Sequence, residues 1–197
     1  MSKMPKINSN LICITGFVGE GKTTTTKYLK DKGFNTFITD EWIHQIYKKG
    51  HKGYKLIKRL FGNKYVTNIE VNRLELKNLI LKNNKAKYLL EKHINKLIYK
   101  RIKSIQNTNK FYYVELGIYL FNVEFYQDLF NQIILILNKN KEKNNDFRQF
   151  CKYKDFQLKK DDSNKDSQTT FYANYLIENN KTINDLYTKL DKLIEQI

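Results

Sequence analysis

Between a short aliphatic run, Leu11-Ile12-Cys13-Ile14-Thr15, and a helical stretch that opens at Lys22 stands Gly16-Phe17-Val18-Gly19-Glu20-Gly21-Lys22-Thr23. No other feature of the chain limits its fold so tightly. The eight residues satisfy G-x-x-x-x-G-K-[ST], whose glycines let the backbone curl with its N–H groups turned inward toward the start of the following helix. Such a loop cradles nucleotide phosphates, and it does so on a strand–loop–helix unit of a parallel sheet. Lys22 is placed to reach the β- and γ-phosphates, and the Thr23 hydroxyl to join a Mg²⁺ shell. Gly16, Phe17, Val18, Gly19, Glu20 and Gly21 complete the expected nucleotide contact. Thr24 is counted with them, although it reads, like Thr25 and Thr26, as a helix residue.

The rest of the chain repeats that unit. The helix from Lys22 to Lys32 stops at Gly33, Thr36 to Thr39 reads as a second strand, and a helical stretch runs from Glu41 to Lys49. Phe111 to Leu116 and Gln132 to Leu137 are two further core strands around a short helix near Val123 to Phe130. Tyr172 to Ile177 is a fifth strand, and Ile183 to Ile197 a closing helix with one apolar stripe. Residues 51–107 lack strand character and carry apolar side chains at helical spacing, which marks a helical insertion. Residues 139–170 are polar and nearly free of aliphatic pattern, as expected either of disorder or of a mobile lid that folds over a ligand. The expectation is a single α/β domain of three layers, a P-loop kinase fold with a five-stranded parallel sheet. Its core is residues 9–50, 108–138 and 171–197.

Composition removes several classes. With 197 residues and 41% hydrophobic content the chain supports one sizeable core, and no apolar run approaches the roughly 20 residues of a membrane span. The polar N-terminus carries no export signal, so a cytoplasmic protein without a membrane partner is expected, and as a monomer. Cys13 and Cys151 are distant in sequence, and His44, His51 and His93 form no metal-ligand spacing with them. The formal net charge of +16 resembles that of a polyanion binder, yet only four of the 36 basic residues are Arg and the lysines spread along the chain amid Asn, Ile and Tyr. That mixture fits an A/T-biased coding sequence, so small phosphate-rich molecules rather than nucleic acid are the expected partners.

Phosphoryl transfer needs a group to orient or deprotonate the acceptor hydroxyl from a neighbouring strand end. Asp40, at the carboxyl edge of the second strand, is that candidate, with capping of the next helix as its competing role. Arg148, the lid's one arginine, is the candidate for stabilising charge on the moving phosphoryl group.

The order of these parts resembles dephospho-CoA kinase over nearly the whole chain. Thr15 to Thr23 is similar to that family's T-G-G-I-G-S-G-K-S/T loop, and Lys32-Gly33-Phe34-Asn35 followed by Asp40 is similar to its L-G-(x)n-D-A-D segment. The resemblance implies ATP and Mg²⁺ as cofactors and phosphorylation of the ribose 3′-hydroxyl of dephospho-CoA, with Asp40 at that hydroxyl. It implies acceptor contacts from Arg73 (in D-R-x-x-L) and His93 (of a His-Pro pair) in a CoA-binding insertion, and places Asn179 and Asn180 (of D-N-N) near the adenine of ATP. Ile38 stands for the first acid of D-A-D, Asn72 for the acid before Arg73, Ile94 for the proline after His93. Phe121 ends the stretch where the family's P-L-L-F-E has its acid, which leaves Glu115 as the candidate carboxylate beside Mg²⁺. The same loop also serves nucleoside and nucleoside-monophosphate kinases, and a diverged P-loop protein that binds nucleic acid through its basic surface is the reading from another class.

Overall fold

The computed structural model describes residues 9–117, 123–138, 151–152, 155–159, 168–171 and 173–197, with the backbone alone for 123–124 and 151–171. The expected role of Arg148 falls outside the described residues, as does the stretch 118–122 that contains Phe121. The chain divides into two compact units, one built from residues 1–38 and 108–197 and the other from residues 39–107.

The first unit holds strands β1 (Leu11–Thr15), β2 (Thr36–Ile38), β3 (Tyr112–Glu115), β4 (Gln132–Leu137), β5 (Cys151–Lys152), β6 (Asp155–Lys159), β7 (Gln168–Phe171) and β8 (Tyr175–Glu178). Five of them form a parallel sheet in the order β2-β3-β1-β4-β8. β1 lies at the centre, and all five of its residues are buried. This is why its sequence is an unbroken apolar run and not an alternation: a strand covered on both faces has no solvent side. Burial pushes the Cys13 thiol well above its ordinary pKa, so it stays a small neutral side chain.

Helices α1 (Lys22–Asp31) and α7 (Ile183–Ile194) pack on the sheet through Leu29, Leu186, Leu190 and Leu193 against Ile12, Ile14, Ile134 and Ile136. Each of these buried side chains contributes about 1.5–3 kcal/mol. Beyond α1, Gly33 takes φ 90°, its N–H donates to Lys30 O and that of Phe34 to Leu29 O, so the last carbonyls are satisfied as the chain turns into β2. α7 starts on Thr182, whose hydroxyl accepts the Asp185 N–H at 3.3 Å. Tyr28 of α1 stacks on Tyr187 of α7 at 3.9 Å and donates its hydroxyl hydrogen to Asp191, which also pairs with Lys32. The short helix α6 covers Val123–Tyr126.

Two expectations for this unit are corrected. The segment 139–170 contains β5 and β6 and most of β7, which pair antiparallel in a separate three-stranded sheet. These strands (CK, DFQLK and QTTF) pair with one another, and they carry none of the aliphatic pattern by which a core strand is recognised. The fifth core strand begins at Tyr175 instead of 172, because the Asn174 side chain accepts the Ile133 N–H at 2.8 Å in place of a regular ladder bond.

The second unit contains α2 (Thr39–Ile46), α3 (Lys52–Phe61), a 3₁₀ turn at Asn63–Tyr65, α4 (Arg73–Lys82) and α5 (Asn84–Gln106). α5 buries Ala86, Leu90, Ile94, Ile98 and Ile102, a four-residue spacing that keeps one stripe inward. Asn72 and Asn83 cap α4 and α5 by accepting the N–H groups of Glu75 and Ala86. Asn72, where the resembled motif carries an acid, therefore still provides the cap. Among the described residues no helix is long and apolar enough to cross a membrane.

Candidate active site

The loop at residues 16–23 leaves the buried end of β1 and turns sharply. Gly16, Gly19 and Gly21 have φ values of 154°, 78° and 105°, which side-chain-bearing residues rarely adopt. A Cβ on Gly16 would collide with the Ile136 carbonyl, so the loop passes the end of β4 at a distance only hydrogen permits. Within the loop the Glu20 N–H donates to Phe17 O at 3.2 Å, and the Lys22 ammonium donates to the same oxygen at 2.8 Å. Val18, 96% exposed, adds nothing to the core; the loop's role lies in its backbone.

Neighbouring strands hold this curl from beneath. Glu20 is buried, and its carboxylate accepts the Asn138 N–H just past β4, so its side chain faces the protein and only its main chain serves the loop. Asn179, just past β8, donates its side-chain amide to Glu20 O at 2.9 Å while its own N–H donates to Leu137 O at 2.7 Å. Asn180 donates to the Glu178 carboxylate at 3.3 Å. Asn179 is thus brought to the loop's underside, and the adenine contact expected of it and of Asn180 is a separate matter.

On the β3 side, Thr15 Oγ1 donates to Leu116 O at 3.0 Å and the Leu116 N–H to Ile14 O at 3.0 Å. These bonds set Glu115, 4% exposed at the end of β3, against the first turn of α1, where Thr23 Oγ1 donates to Glu115 Oε1 at 2.7 Å. Gly117 lies beside the Lys22 stem, and a Cβ there would stand 3.3 Å from Lys22 Cε. Thr24 is half-buried in α1, and Thr25 and Thr26 are buried in it.

A hydroxyl and a carboxylate at one loop edge are hard oxygen donors of the kind Mg²⁺ takes. Among the described residues no group of three or more His, Cys, Asp and Glu could hold a metal by itself. The Thr23–Glu115 pair therefore suits an ion whose remaining ligands are nucleotide phosphates and water, the usual manner of Mg²⁺.

The other expected residues lie in the second unit. Asp40 is not the last residue of a strand but the second residue of α2. β2 spans three residues, the helix opens at Thr39, and Asp40 is an exposed first-turn acid favoured by the helix dipole. His44 follows one turn later on the same face, and its Nε2 accepts from Arg73 Nη1 at 2.9 Å. The structure thereby ties Arg73 to the helix of Asp40. No sequence motif marks His44; its i+4 spacing from Asp40 is the one signal in the sequence that links the two. His93 donates Nδ1–H to Leu89 O at 2.8 Å, one turn back on α5.

The model of a family described as dephospho-CoA kinase matches residues 10–185. The dephospho-CoA kinase of Mycoplasma genitalium is 35% identical over 127 residues, 63% of this chain and 64% of that protein. That of Mycoplasma pneumoniae is 30% identical over 64% of each chain. The matched segments thus span just under two thirds of these relatives. That of Aquifex aeolicus is 24% identical over 94% of this chain and 96% of its own. A solved structure titled dephospho-CoA kinase from Campylobacter jejuni superposes with a TM-score of 0.62 at 18% identity, covering 95% of this chain and 96% of that one, and so shares the fold.

Proposed function

We propose, since the chain belongs to the dephospho-CoA kinase family, that it transfers the γ-phosphoryl group of ATP to the ribose 3′-hydroxyl of dephospho-CoA, yielding coenzyme A and ADP in the last step of coenzyme A synthesis. The observation that carries this reading is the glycine-curled loop with Lys22 across its mouth and the Thr23–Glu115 pair at its edge. Main-chain N–H groups of residues 16–23 bind the phosphates, and Lys22 exchanges the Phe17 carbonyl for β- and γ-phosphate oxygens. Thr23, supported by Glu115, would hold Mg²⁺, which supplies neutralisation of phosphate charge. Asp40 accepts the hydrogen bond of the acceptor hydroxyl and takes its proton as the phosphoryl group arrives, while Arg73, steadied by His44, and His93 bind the acceptor. Arg148 closes from the lid onto the transferring group. A cytoplasmic monomer completes the reading.

Purified protein in a coupled ADP-release assay tests it. Dephospho-CoA should support turnover, and adenosine, deoxynucleosides and nucleoside monophosphates should not. Comparable kcat/KM with a nucleoside monophosphate would replace dephospho-CoA as the acceptor, and salt-sensitive DNA binding without ADP release would remove the enzyme altogether.

A further inference from the structure

The second unit leaves several large apolar side chains in solvent within one short stretch. Ile69, Leu74, Leu81 and Tyr88 are between 65% and 76% exposed. A single exposed leucine needs no explanation, but α4 turns two of them into a pattern. In a helix packed for stability, positions i, i+3, i+4, i+7 and i+8 carry the apolar stripe that faces the core. On α4 that series holds Leu74, Lys77, Asn78, Leu81 and Lys82, and all five are exposed. The helix buries Leu76 and half-buries Leu79 and Ile80, so its apolar side chains divide between an inner and an outer side.

The outer stripe is cationic as well as apolar. Glu75, the one acid of α4, is paired with Lys64 at 3.5 Å, and no carboxylate belongs to the stripe. Ahead of the helix, the Val66–Val71 bridge closes a hairpin with Ile69 near its tip. Thr67 Oγ1 accepts the N–H groups of Ile69 and Glu70 at 3.1 and 3.0 Å, and the Lys49 N–H donates to Ile69 O at 2.7 Å. The tip is therefore held on both sides while its isoleucine stands in water. The whole unit is basic: residues 39–107 hold 17 of the 36 Lys and Arg but only 5 of the 20 Asp and Glu.

We propose that the outer stripe of α4, with Ile69 ahead of it, docks on an anionic lipid bilayer. Lying on a bilayer requires neither a long apolar run nor a spanning helix. It requires leucines that enter the headgroup boundary and cations that meet lipid phosphates, and lysine does both, its aliphatic stem among the acyl chains and its ammonium at the surface. Charge complementarity selects this occupant. A second copy of the chain would bring one basic unit against another, and contacts between proteins are depleted in lysine at their centres. Contacts to a nucleic-acid backbone would use the lysines and leave Leu74, Leu81 and Ile69 idle. The surface lies outside the phosphate loop, so docking is a property separate from the phosphoryl transfer proposed above.

The full chain is sedimented with phosphatidylcholine vesicles containing about 30% phosphatidylglycerol, and with phosphatidylcholine vesicles alone. It should pellet with the first and stay in solution with the second. Leu74→Ser/Leu81→Ser and Lys77→Gln/Lys82→Gln should each weaken partition onto the anionic vesicles about tenfold or more. Both variants should keep kcat, KM and melting temperature close to wild type, which separates lost docking from lost folding. Wild-type protein that ignores the anionic vesicles, or variants that bind them undiminished, would overturn the proposal. So would a wild-type dimer, seen by sedimentation velocity, that Leu74→Ser/Leu81→Ser dissolves while vesicle binding persists, since the stripe would then be a self-contact. Binding to a single-stranded DNA oligonucleotide that is lost in the lysine variant and kept in the leucine variant, with vesicles unbound, would make the face a nucleic-acid surface instead.

Discussion

Thr23 Oγ1 and Glu115 Oε1 lie 2.7 Å apart, which joins the first turn of α1 to the end of β3 at the edge of the phosphate loop. The carboxylate is buried while the hydroxyl's residue is exposed, so the pair presents oxygen to the loop from a fixed base. Glu115→Gln keeps an oxygen for Thr23 and removes the charge. It should raise the Mg²⁺ concentration needed for half-maximal turnover about tenfold without unfolding the protein. ADP release against free Mg²⁺, alongside a melting curve, measures both, and an unaltered Mg²⁺ requirement would exclude Glu115 from that role.

Lys22 donates to Phe17 O at 2.8 Å, a bond that nucleotide phosphate is expected to displace. Lys22→Ala should weaken MgATP binding about tenfold and slow turnover by a factor of about 10² or more. Calorimetric titration with a non-hydrolysable ATP analogue separates the two effects; a variant that binds and turns over normally would discredit the loop.

Asp40 is exposed in the first turn of α2, outside the loop altogether. Asp40→Asn should leave MgATP affinity within about twofold while reducing kcat by about 10²–10⁴, the usual worth of a positioned base. Retained kcat would assign Asp40 to the helix dipole alone.

Gly16 combines φ 154° with a Cβ direction that ends in the Ile136 carbonyl. Gly16→Ala should cost about 3 kcal/mol and lower the melting temperature by about 6–12 °C, besides abolishing nucleotide binding. A melting temperature within a degree of wild type would show that β1 and β4 can part at no cost.

Burial pushes the Tyr47 hydroxyl up to a pKa of about 12, and desolvation moves Tyr113 and Tyr126 in the same direction. A folded-state pKa above the unfolded value means that the unfolded chain loses its proton first. Stability should be intact below about pH 10 and fall by about 1.4 kcal/mol per pH unit for Tyr47 between 10 and 12. Urea midpoints at pH 8.5 and 11 should differ less in Tyr47→Phe than in wild type, and an identical loss would acquit Tyr47.

What the sequence disclosed and what it hid divide along one physical line. β1, the loop and α1 were legible because their signals are local: an aliphatic run, three glycines and a Lys-Thr pair in fifteen consecutive positions or fewer. The four other core strands were found from apolar runs, with ends displaced where side chains intervene, as Asn174 does before β8. The antiparallel strands within 139–170 left no trace, since their backbone pairing demands no apolar alternation. The start of α2 at Thr39 escaped because Thr suits a strand end as well as a helix start. The Arg73–His44 bond joins positions 29 residues apart, a distance over which single-sequence periodicity is silent.

The central place of β1 in the sheet also dictates when the protein becomes competent. β1 leaves the ribosome first among the strands, yet its edges are covered only by β3 and β4, which begin at Tyr112 and Gln132, and the Asn179 amide that braces the loop is made later still. Such distant pairing folds slowly. A nascent chain accordingly carries its motif, and an unsheltered greasy strand, through most of translation without being able to grip a nucleotide, so that ligand capture certifies a finished molecule.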